Sequence, residues 1–369
     1  MKLGIGIAAV AGLFLAIGLV VHQGFSDVTN AMLSIGWSGL LVITLYHFIP
    51  IIFSSVGWKV LLPEEERPAT STFILARWVR EAANDLLPVA QIGGQIIGAR
   101  VLTHKNTRAG TAGASVVVDM TVEVLSQFLF TLIGVGLLII SGTHNDIVEN
   151  VIIGVLIALP LFMGFVMAQH WGMFKLLEQA MEKMANKWNW HSLGRIESLH
   201  DNIITMYQNR YAILSSTLLH LIAWTASSGG VWLPLYFMGF PISLMDALLI
   251  ESLGQAIRSA AFIVPGALGV QEGGYMLLGT VVGLGPEVGL AVSLIKRVRD
   301  LILGLPAILL WQIMEGKSVF FGTVNHKNRI EENNALSGTI NQKQMMEEKN
   351  IMSSNSNHKQ EKEGDDNGW

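Results

Sequence analysis

Long apolar runs, separated by shorter polar stretches, follow one another along the chain up to about residue 316. About 20 consecutive apolar residues are enough to span a bilayer as a helix. We predict about six full spans, over Leu3–Val21, Trp37–Val56, Ala112–Ile140, Val151–Ala168, Tyr211–Met238 and Val288–Ile313. The first run has no small-residue cleavage site after it and is too long for the apolar region of a typical signal peptide, so we interpret it as a retained helix. The pattern predicts an all-α polytopic membrane protein.

Two further apolar segments are interrupted by proline and glycine. Proline lacks an amide proton and disfavours helix in the residue before it, and glycine relaxes the backbone. Each segment therefore predicts a re-entrant helical hairpin, over Thr72–Arg108 and over Leu244–Leu284. The alternative is that these residues only allow close helix packing, as small residues often do in membranes. The predicted breaks are Pro88, Gly93, Gly94, Pro265, Gly266 and Gly269.

The two interrupted segments open two copies of one unit. Asp119 lies 31 residues after Pro88 and Lys296 lies 31 residues after Pro265, which places the copies 177 residues apart. Three predicted spans separate the copies, and an odd number inverts the second copy relative to the first. We therefore predict an inverted repeat, as in many secondary transporters. Its boundaries are 72–140 for repeat one and 244–313 for repeat two, within a transmembrane domain over 1–316.

Charged residues lie inside the predicted spans of both copies. Asp119 and Glu123 are four residues apart and share a helix face, as do Lys296 and Asp300, since helical neighbours recur at this spacing. At about 1.5 Å per residue, Asp119 lies about 10 Å into its span and Lys296 about 12 Å into its own. Charge is costly at that depth, so one hypothesis is a proton or charge relay that also includes Arg299. The other is a structural clamp, in which the two carboxylates of the first copy pair with the charged residues of the second.

Basic residues predict the orientation in the membrane. They are concentrated after the second and fourth predicted spans and at the start of the tail. By the positive-inside rule, these segments and both chain termini are cytoplasmic. Apolar residues at helical spacing between Lys and Glu predict interfacial helices over 172–210. The segment Thr72–Leu87 has a similar pattern, with Trp78 beside Arg77 and Arg80.

Composition narrows the class of protein further. Hydrophobic residues are 51% and charged residues 14% of the chain, against about 25% charged in a soluble domain. The tail over 317–369 is too polar to fold and is predicted to be a disordered cytoplasmic segment. Cysteine is absent, and the chain has no zinc-protease, phosphate-loop or serine-hydrolase motif, so we predict no metal and no cofactor. His47 and His220 lie in apolar spans and are interpreted as hydrogen-bonded packing histidines.

Two short runs resemble the signatures of a known family. The run Arg80–Gly94, closing at Arg100, and the run Val264–Glu272 are similar to the two signatures of the flippase-like family named after the membrane region of lysylphosphatidylglycerol synthase. Within that family the chain is most similar to the membrane protein associated with hopanoid biosynthesis in bacteria. The resemblance implies a bacterial inner-membrane protein that moves a hopanoid-linked lipid or a phospholipid between leaflets. It implies no enzyme activity, because the soluble aminoacyl-transfer domain of the synthase has no counterpart here.

Polar residues flank both breaks, and we predict that they bind the lipid. They are Asn84, Gln91, Gln95, Arg100, Gln255, Arg258, Gln271 and Glu272. The expected partners are membrane lipids, either hopanoid or anionic phospholipid, with hopanoid-pathway enzymes as further candidates. The basic segments lack the context for nucleic acid and suit an anionic lipid surface. Three alternatives stay open: a lipid-modifying membrane enzyme, a small-solute transporter, and a scaffold for a hopanoid-assembly complex.

Overall fold

The computed structural model describes residues 30, 33–87, 93–105, 107–140, 199–261 and 264–315. Regular structure within these residues is entirely helical, as the apolar runs predict. The predicted spans Leu3–Val21 and Val151–Ala168 lie outside the described residues, as do most of the predicted interfacial segment and the tail. Pro88 and Gln91 lie outside them as well.

The described helices follow the predicted apolar segments closely. They are α1 (Gly36–Tyr46), α2 (Phe48–Val60), α3 (Thr70–Leu86), α4 (Gly93–Thr103), α5 (Ala109–Ile140), α6 (Leu199–Gln208), α7 (Arg210–Ser227), α8 (Gly229–Phe237), α9 (Leu244–Ala260), α10 (Val270–Val281) and α11 (286–315). Short 3-10 turns occupy Glu64–Glu66 and Pro265–Ala267.

Three stretches of helix are long and apolar enough to cross a membrane. They are Gly36–Val60, Ala109–Ile140 and Arg210–Phe237, and they coincide with three of the predicted full spans. The first combines α1 with α2, and the third combines α7 with α8. Helix α11 is of similar length, but a charged segment interrupts its apolar sequence. The described residues therefore support a multi-span membrane protein, while the full number of spans stays a prediction.

Both predicted breaks are real ends of helices. Helix α3 ends at Leu86, and Leu87 after it is extended, with φ −104° and ψ 144°. Helix α9 ends at Ala260, and α10 begins at Val270. The starts of α10 and α11, at residues 270 and 286, each lie 177 residues after the starts of α4 and α5, at 93 and 109. The helices thus keep the offset of the sequence repeat, which supports an internal duplication. The inverted relation and the re-entrant depth of the hairpins stay predictions.

The described helices are apolar outside and polar inside. On α5, the exposed side chains include Leu125 and Ile133, whereas Ser115, Asp119 and Ser126 are fully buried. This is the reverse of a soluble helix, and it fits a lipid environment, where polar groups must find partners within the protein.

Helix α5 packs against helices of both repeats. Near its start, Ser115 accepts a hydrogen bond from Trp58 Nε1 of α2 at 3.0 Å, and α4 of the first repeat lies alongside it. Near its end, Gly134 touches the Ser252 hydroxyl of α9 so closely that a β-carbon would overlap it. Small residues at such crossings allow backbones to approach within a membrane. The chain divides into Met1–Leu309 and Leu310–Trp369, and of the second unit only the helical residues 310–315 are described.

Candidate functional site

Two arginines of α3 and two carboxylates of α5 form a buried ion cluster. Arg80 Nη1 donates to Asp119 Oδ2 at 2.6 Å, and Arg80 Nη2 contacts Glu123. Arg77 Nη2 donates to Glu123 Oε1 at 2.5 Å, and its Nη1 lies 3.6 Å from Asp119 Oδ2. The side chains of Arg80 and Asp119 are only 2% and 0% exposed. Because each carboxylate meets both arginines, the cluster links the two helices through several parallel contacts.

A histidine and a third carboxylate complete this cluster. His220 of α7 places Nε2 2.9 Å from Asp119 Oδ1, and Glu81 Oε1 accepts from Arg77 Nε at 2.6 Å. Gly57 of α2 leaves room for the imidazole, since a β-carbon there would lie 3.0 Å from its Cδ2 and 3.2 Å from its Nε2. The first ion cluster is therefore Arg77, Arg80, Glu81, Asp119, Glu123 and His220.

A second buried ion cluster lies in the second repeat. Lys296 Nζ of α11 donates to Glu251 Oε2 at 2.5 Å and to Tyr275 Oη at 2.6 Å. Tyr275 Oη donates to the same carboxylate oxygen at 2.7 Å, and Gln255 Nε2 donates to the other at 2.9 Å. The second ion cluster is Glu251, Gln255, Tyr275 and Lys296. Every oxygen of its carboxylate has a donor, so the pair is held in one fixed arrangement.

The two ion clusters occupy corresponding positions with opposite charge. Asp119 and Lys296 each lie ten residues after the first residue of their helix, at 109 and 286, or about 15 Å along the axis. In the first repeat, α3 supplies cations and α5 supplies anions. In the second, α9 supplies the anion through Glu251, and α11 supplies the cation. The duplicated framework thus keeps the placement of its buried charge while the sign is exchanged.

One ion pair joins the two repeats at their breaks. Arg258 Nη2, near the end of α9, donates to Asp85 Oδ1, near the end of α3, at 2.5 Å. The side chains are 16% and 27% exposed, which makes this pair more accessible than Glu251 with Lys296. The turn at Gly266 lies beside the Asp85 carbonyl, since a β-carbon on that glycine would be 3.5 Å from the oxygen. Both breaks therefore meet at this pair.

Other hydrogen bonds extend the contact between the repeats. Gln127 Nε2 of α5 donates to Ser259 Oγ at 2.5 Å and to the Gln255 carbonyl at 3.3 Å. Trp78 Nε1 of α3 donates to the Leu303 carbonyl of α11 at 3.0 Å. We call these contacts, together with the pair of Asp85 and Arg258, the inter-repeat seam.

The second break is a strained turn held by an arginine. Gly266 and Gly269 have φ of 61° and 77°, and Ala267 between them has φ 49°, a left-handed conformation that costs energy for a residue with a β-carbon. Glu272 Oε2 accepts from the Gly269 amide at 2.6 Å. Arg297 Nε donates to Glu272 Oε1 at 2.8 Å, and its Nη1 donates to the Gly266 carbonyl at 2.6 Å. Arg297 therefore fixes the turn to the start of α10.

The first break is capped without a charge. The Gly94 amide, at the start of α4, donates to Asn84 Oδ1 of α3 at 3.1 Å. A β-carbon on Gly94 would overlap that oxygen and the Arg80 carbonyl. The glycine is thus needed for the close approach of α3 and α4, and Asn84 replaces the carboxylate that caps α10.

The remaining predicted binding residues are buried in different places. Gln95 and Arg100 of α4 are 6% and 8% exposed. Gln271 of α10 donates through Nε2 to Ser293 Oγ at 3.0 Å. The Oε1 atoms of Gln95 and Gln271 have no hydrogen-bond partner among the described residues.

The predicted clamp between the copies is wrong in its pairing. Asp119 and Glu123 pair with arginines of their own repeat, and Lys296 pairs with Glu251 of its own. The reason is reach, because the long arginine side chains of α3 extend to α5 and satisfy its carboxylates locally. The five proposed relay residues also separate, since Asp300 is bonded by its neighbour Arg299 at 2.6 Å instead of joining Asp119.

The interfacial interpretation of Thr72–Leu87 is also wrong for its two central arginines. Arg77 and Arg80 are 6% and 2% exposed, which is incompatible with a helix face at the membrane surface. An arginine next to tryptophan is common at an interface, and this local pattern concealed the pairing with distant carboxylates.

Sequence reasoning missed Asp85 as a partner and Glu251 altogether. A signal for Glu251 existed, because it is a lone carboxylate inside the apolar sequence of α9, four residues before Gln255. His220 was expected to be hydrogen-bonded, and that is confirmed, although its partner Asp119 was not foreseen.

Comparison with known proteins identifies the family. The model of the lysylphosphatidylglycerol synthase transmembrane region matches residues 3–307, which is most of the chain. Neither a curated protein nor a solved structure matches. The family is a membrane region, in agreement with the apolar helices and with the similarity of the two break sequences. The chain belongs to the family of the lysylphosphatidylglycerol synthase transmembrane region and is an integral membrane protein.

Proposed function

We propose that this protein moves a lipid between the leaflets of the bacterial inner membrane, with the head group passing along the inter-repeat seam. The observation that carries the proposal is the ion pair of Asp85 and Arg258, which joins the two breaks and is the more accessible of the charged pairs at the repeats. A lipid head group needs charged or polar partners while its chains stay in the bilayer. A paired but accessible arginine supplies them, because a phosphate replaces the carboxylate on it without leaving it uncompensated.

The proposed substrate class is a lipid with a phosphate or other anionic head group. Arg258 presents a guanidinium that matches phosphate geometry, and Asp85 would be displaced toward the other polar groups of the seam. Seam contacts such as Gln127 with Ser259 are hydrogen bonds that exchange at lower cost than a buried ion pair. The two ion clusters would then serve as rigid supports on either side. A hopanoid-linked lipid with such a head group and a phospholipid are both within this class.

The proposed activity is transport without covalent change. Of the alternatives, a modifying enzyme would need a nucleophile with an adjacent base or a metal. Among the described residues, no group of three or more His, Asp or Glu side chains is placed to hold a metal ion. The proposed orientation places both chain termini in the cytoplasm, in accordance with the basic segments.

Lipid movement in liposomes tests the proposal. Purified protein is reconstituted with a fluorescent phospholipid, and the fraction accessible to an external quencher is followed with time. Arg258→Gln is expected to lower the initial rate at least about tenfold, equivalent to about 1.4 kcal/mol in the barrier. Glu64→Gln is the matched control, because Glu64 is 87% exposed and only 3.8 Å from Arg67. Equal rates for wild type and Arg258→Gln, at equal amounts of folded protein, would show that the head group does not use the seam.

A hopanoid-containing membrane distinguishes the two lipid classes. The same liposomes are prepared with a labelled hopanoid bearing a polar head group in place of the labelled phospholipid. Faster movement of the hopanoid points to the substrate suggested by the sequence resemblance. Movement of neither lipid above protein-free liposomes rejects the transport proposal, and mass spectrometry of the recovered lipids then tests the enzyme alternative.

A further inference from the structure

The first ion cluster contains more carboxylates than guanidinium groups. Glu81, Asp119 and Glu123 face Arg77 and Arg80, and their contacts interlock. With a neutral His220 these groups sum to one negative charge, and with a protonated His220 they sum to zero. An uncompensated charge is strongly disfavoured in a buried site. The charge balance therefore favours the imidazolium whenever the cluster is closed.

The geometry places the imidazole where a proton has the greatest effect. His220 is 1% exposed, and its Nε2 lies 2.9 Å from Asp119 Oδ1, the carboxylate that also accepts from Arg80. Helix α7 packs against α2 on one side and α5 on the other. Loss of the proton would thus weaken the contact that ties α7 to α5, and regaining it would restore that contact.

The other charged and titratable groups near α7 have partners of their own. Helix α5 presents Asp119 and Glu123, and α3 presents Arg77, Arg80 and Glu81. His47, at the junction of α1 and α2, lies 3.8 Å from Glu81. Lys59 of α2 donates to Thr70, and Tyr207 of α6 donates to Thr121. On α9, which also touches α7, Glu251 pairs with Lys296 and Arg258 pairs with Asp85. Among these groups His220 is the one placed to accept a proton directly against Asp119.

We propose that His220 is a proton-binding site that couples lipid movement to a proton gradient. One proton binds the imidazole when α7 closes on α5 and leaves it to water when the two helices separate, so that one proton crosses for each lipid moved. This coupling rests on the proposed transport function. Gly57 is part of the same device, because its lack of a side chain lets the ring lie against Asp119.

The steady-state distribution of lipid measures the coupling. Liposomes containing the protein and the labelled phospholipid are given a pH difference of one unit, with potassium and valinomycin holding the membrane potential at zero. One proton per lipid predicts that the ratio of label between leaflets shifts about tenfold for each pH unit, since one unit is equivalent to about 1.4 kcal/mol. His220→Gln is expected to abolish this shift.

Gly57→Ala provides a second variant that keeps the histidine. Its new methyl group would meet the imidazole at 3.0 Å, push the ring away from Asp119 and reduce the shift. Gly136→Ala on α5 is the matched control, because a β-carbon there has nothing within 4 Å, and it is expected to keep the full shift. A shift that persists in His220→Gln would overturn the proposal.

The protonation of His220 is also measured directly, without transport. The chain has 10 histidines, and nitrogen-15 spectra of histidine-labelled protein are compared with those of His220→Gln to assign the missing signal. An imidazolium signal that persists at neutral pH supports the proposal, whereas a neutral ring throughout that range rejects it. If the wild type moves lipid but the pH difference leaves the leaflet ratio unchanged, the coupling is wrong and the transport function stands. If the wild type moves no lipid, both fail.

Discussion

Removal of the Lys296 ammonium tests whether the second ion cluster is a fixed support. Lys296→Met keeps most of the volume of the side chain but deletes its charge. Glu251 is then left 1% exposed, with Tyr275 and Gln255 as its remaining hydrogen-bond donors. Leaving one partner of a buried pair uncompensated costs about 3–5 kcal/mol. Two neutral hydrogen bonds offset part of this, so we expect a loss of about 2–4 kcal/mol in the free energy of unfolding.

The double variant Lys296→Met with Glu251→Gln separates the charge from the packing. The glutamine keeps an oxygen that accepts from Tyr275, and the buried negative charge is gone. Replacement of a whole buried pair by neutral groups is often close to neutral. We therefore expect the double variant to recover most of the loss, leaving it within about 1–2 kcal/mol of wild type.

Reversible unfolding in mixed micelles, followed by tryptophan fluorescence, measures all four proteins of this cycle. The expected interaction energy between the two positions is about 1–3 kcal/mol. If Lys296→Met costs less than about 1 kcal/mol, or if the two substitutions add without interaction, the pair does not support the bundle as the geometry indicates.

Three further substitutions test individual contacts. Gly134→Ala on α5 should lower the free energy of unfolding by about 1–3 kcal/mol, because its methyl group overlaps the Ser252 hydroxyl; Gly136→Ala, which meets nothing, should not. Gly266→Ala, at φ 61°, should cost about 1–2 kcal/mol by the same measurement, and an unchanged stability would show that this turn is not left-handed. Arg77→Lys should destabilise the first ion cluster, since an ammonium cannot bridge its carboxylates as a guanidinium does; a thermal midpoint equal to wild type would contradict this.

Much of the framework could be predicted because it depends on local properties of the sequence. Apolar length predicts the helix over Ala109–Ile140, and proline and glycine predict the ends of α3 and α9. The constant offset of 177 residues could be found from the sequence because duplication preserves spacing even where side chains change, and the starts of α10 and α11 keep it.

The pairing of the charges could not be predicted in the same way. Residue spacing places Asp119 and Glu123 on one face of α5, but it does not determine which other helix supplies the cations. Arg77 and Arg80 lie about 40 residues away in the chain, and their local context resembles a membrane interface. The partner of His220 depends on how α7 packs between α2 and α5, which is a property of the tertiary structure alone.

The exchange of charge between the repeats bears on how such a protein could alternate between two states. If both repeats held the same pattern of charge, the two halves would respond equally to a proton or to a head group. Instead, the first repeat holds an imidazole against an excess of carboxylates, and the second holds a balanced pair of Glu251 and Lys296 that has no group left to titrate near neutrality. Protonation at His220 would therefore act on one half, while the other half stays fixed. The seam at Asp85 and Arg258, between a responsive half and a fixed half, is then the place where a proton on one side can change the access of a lipid head group.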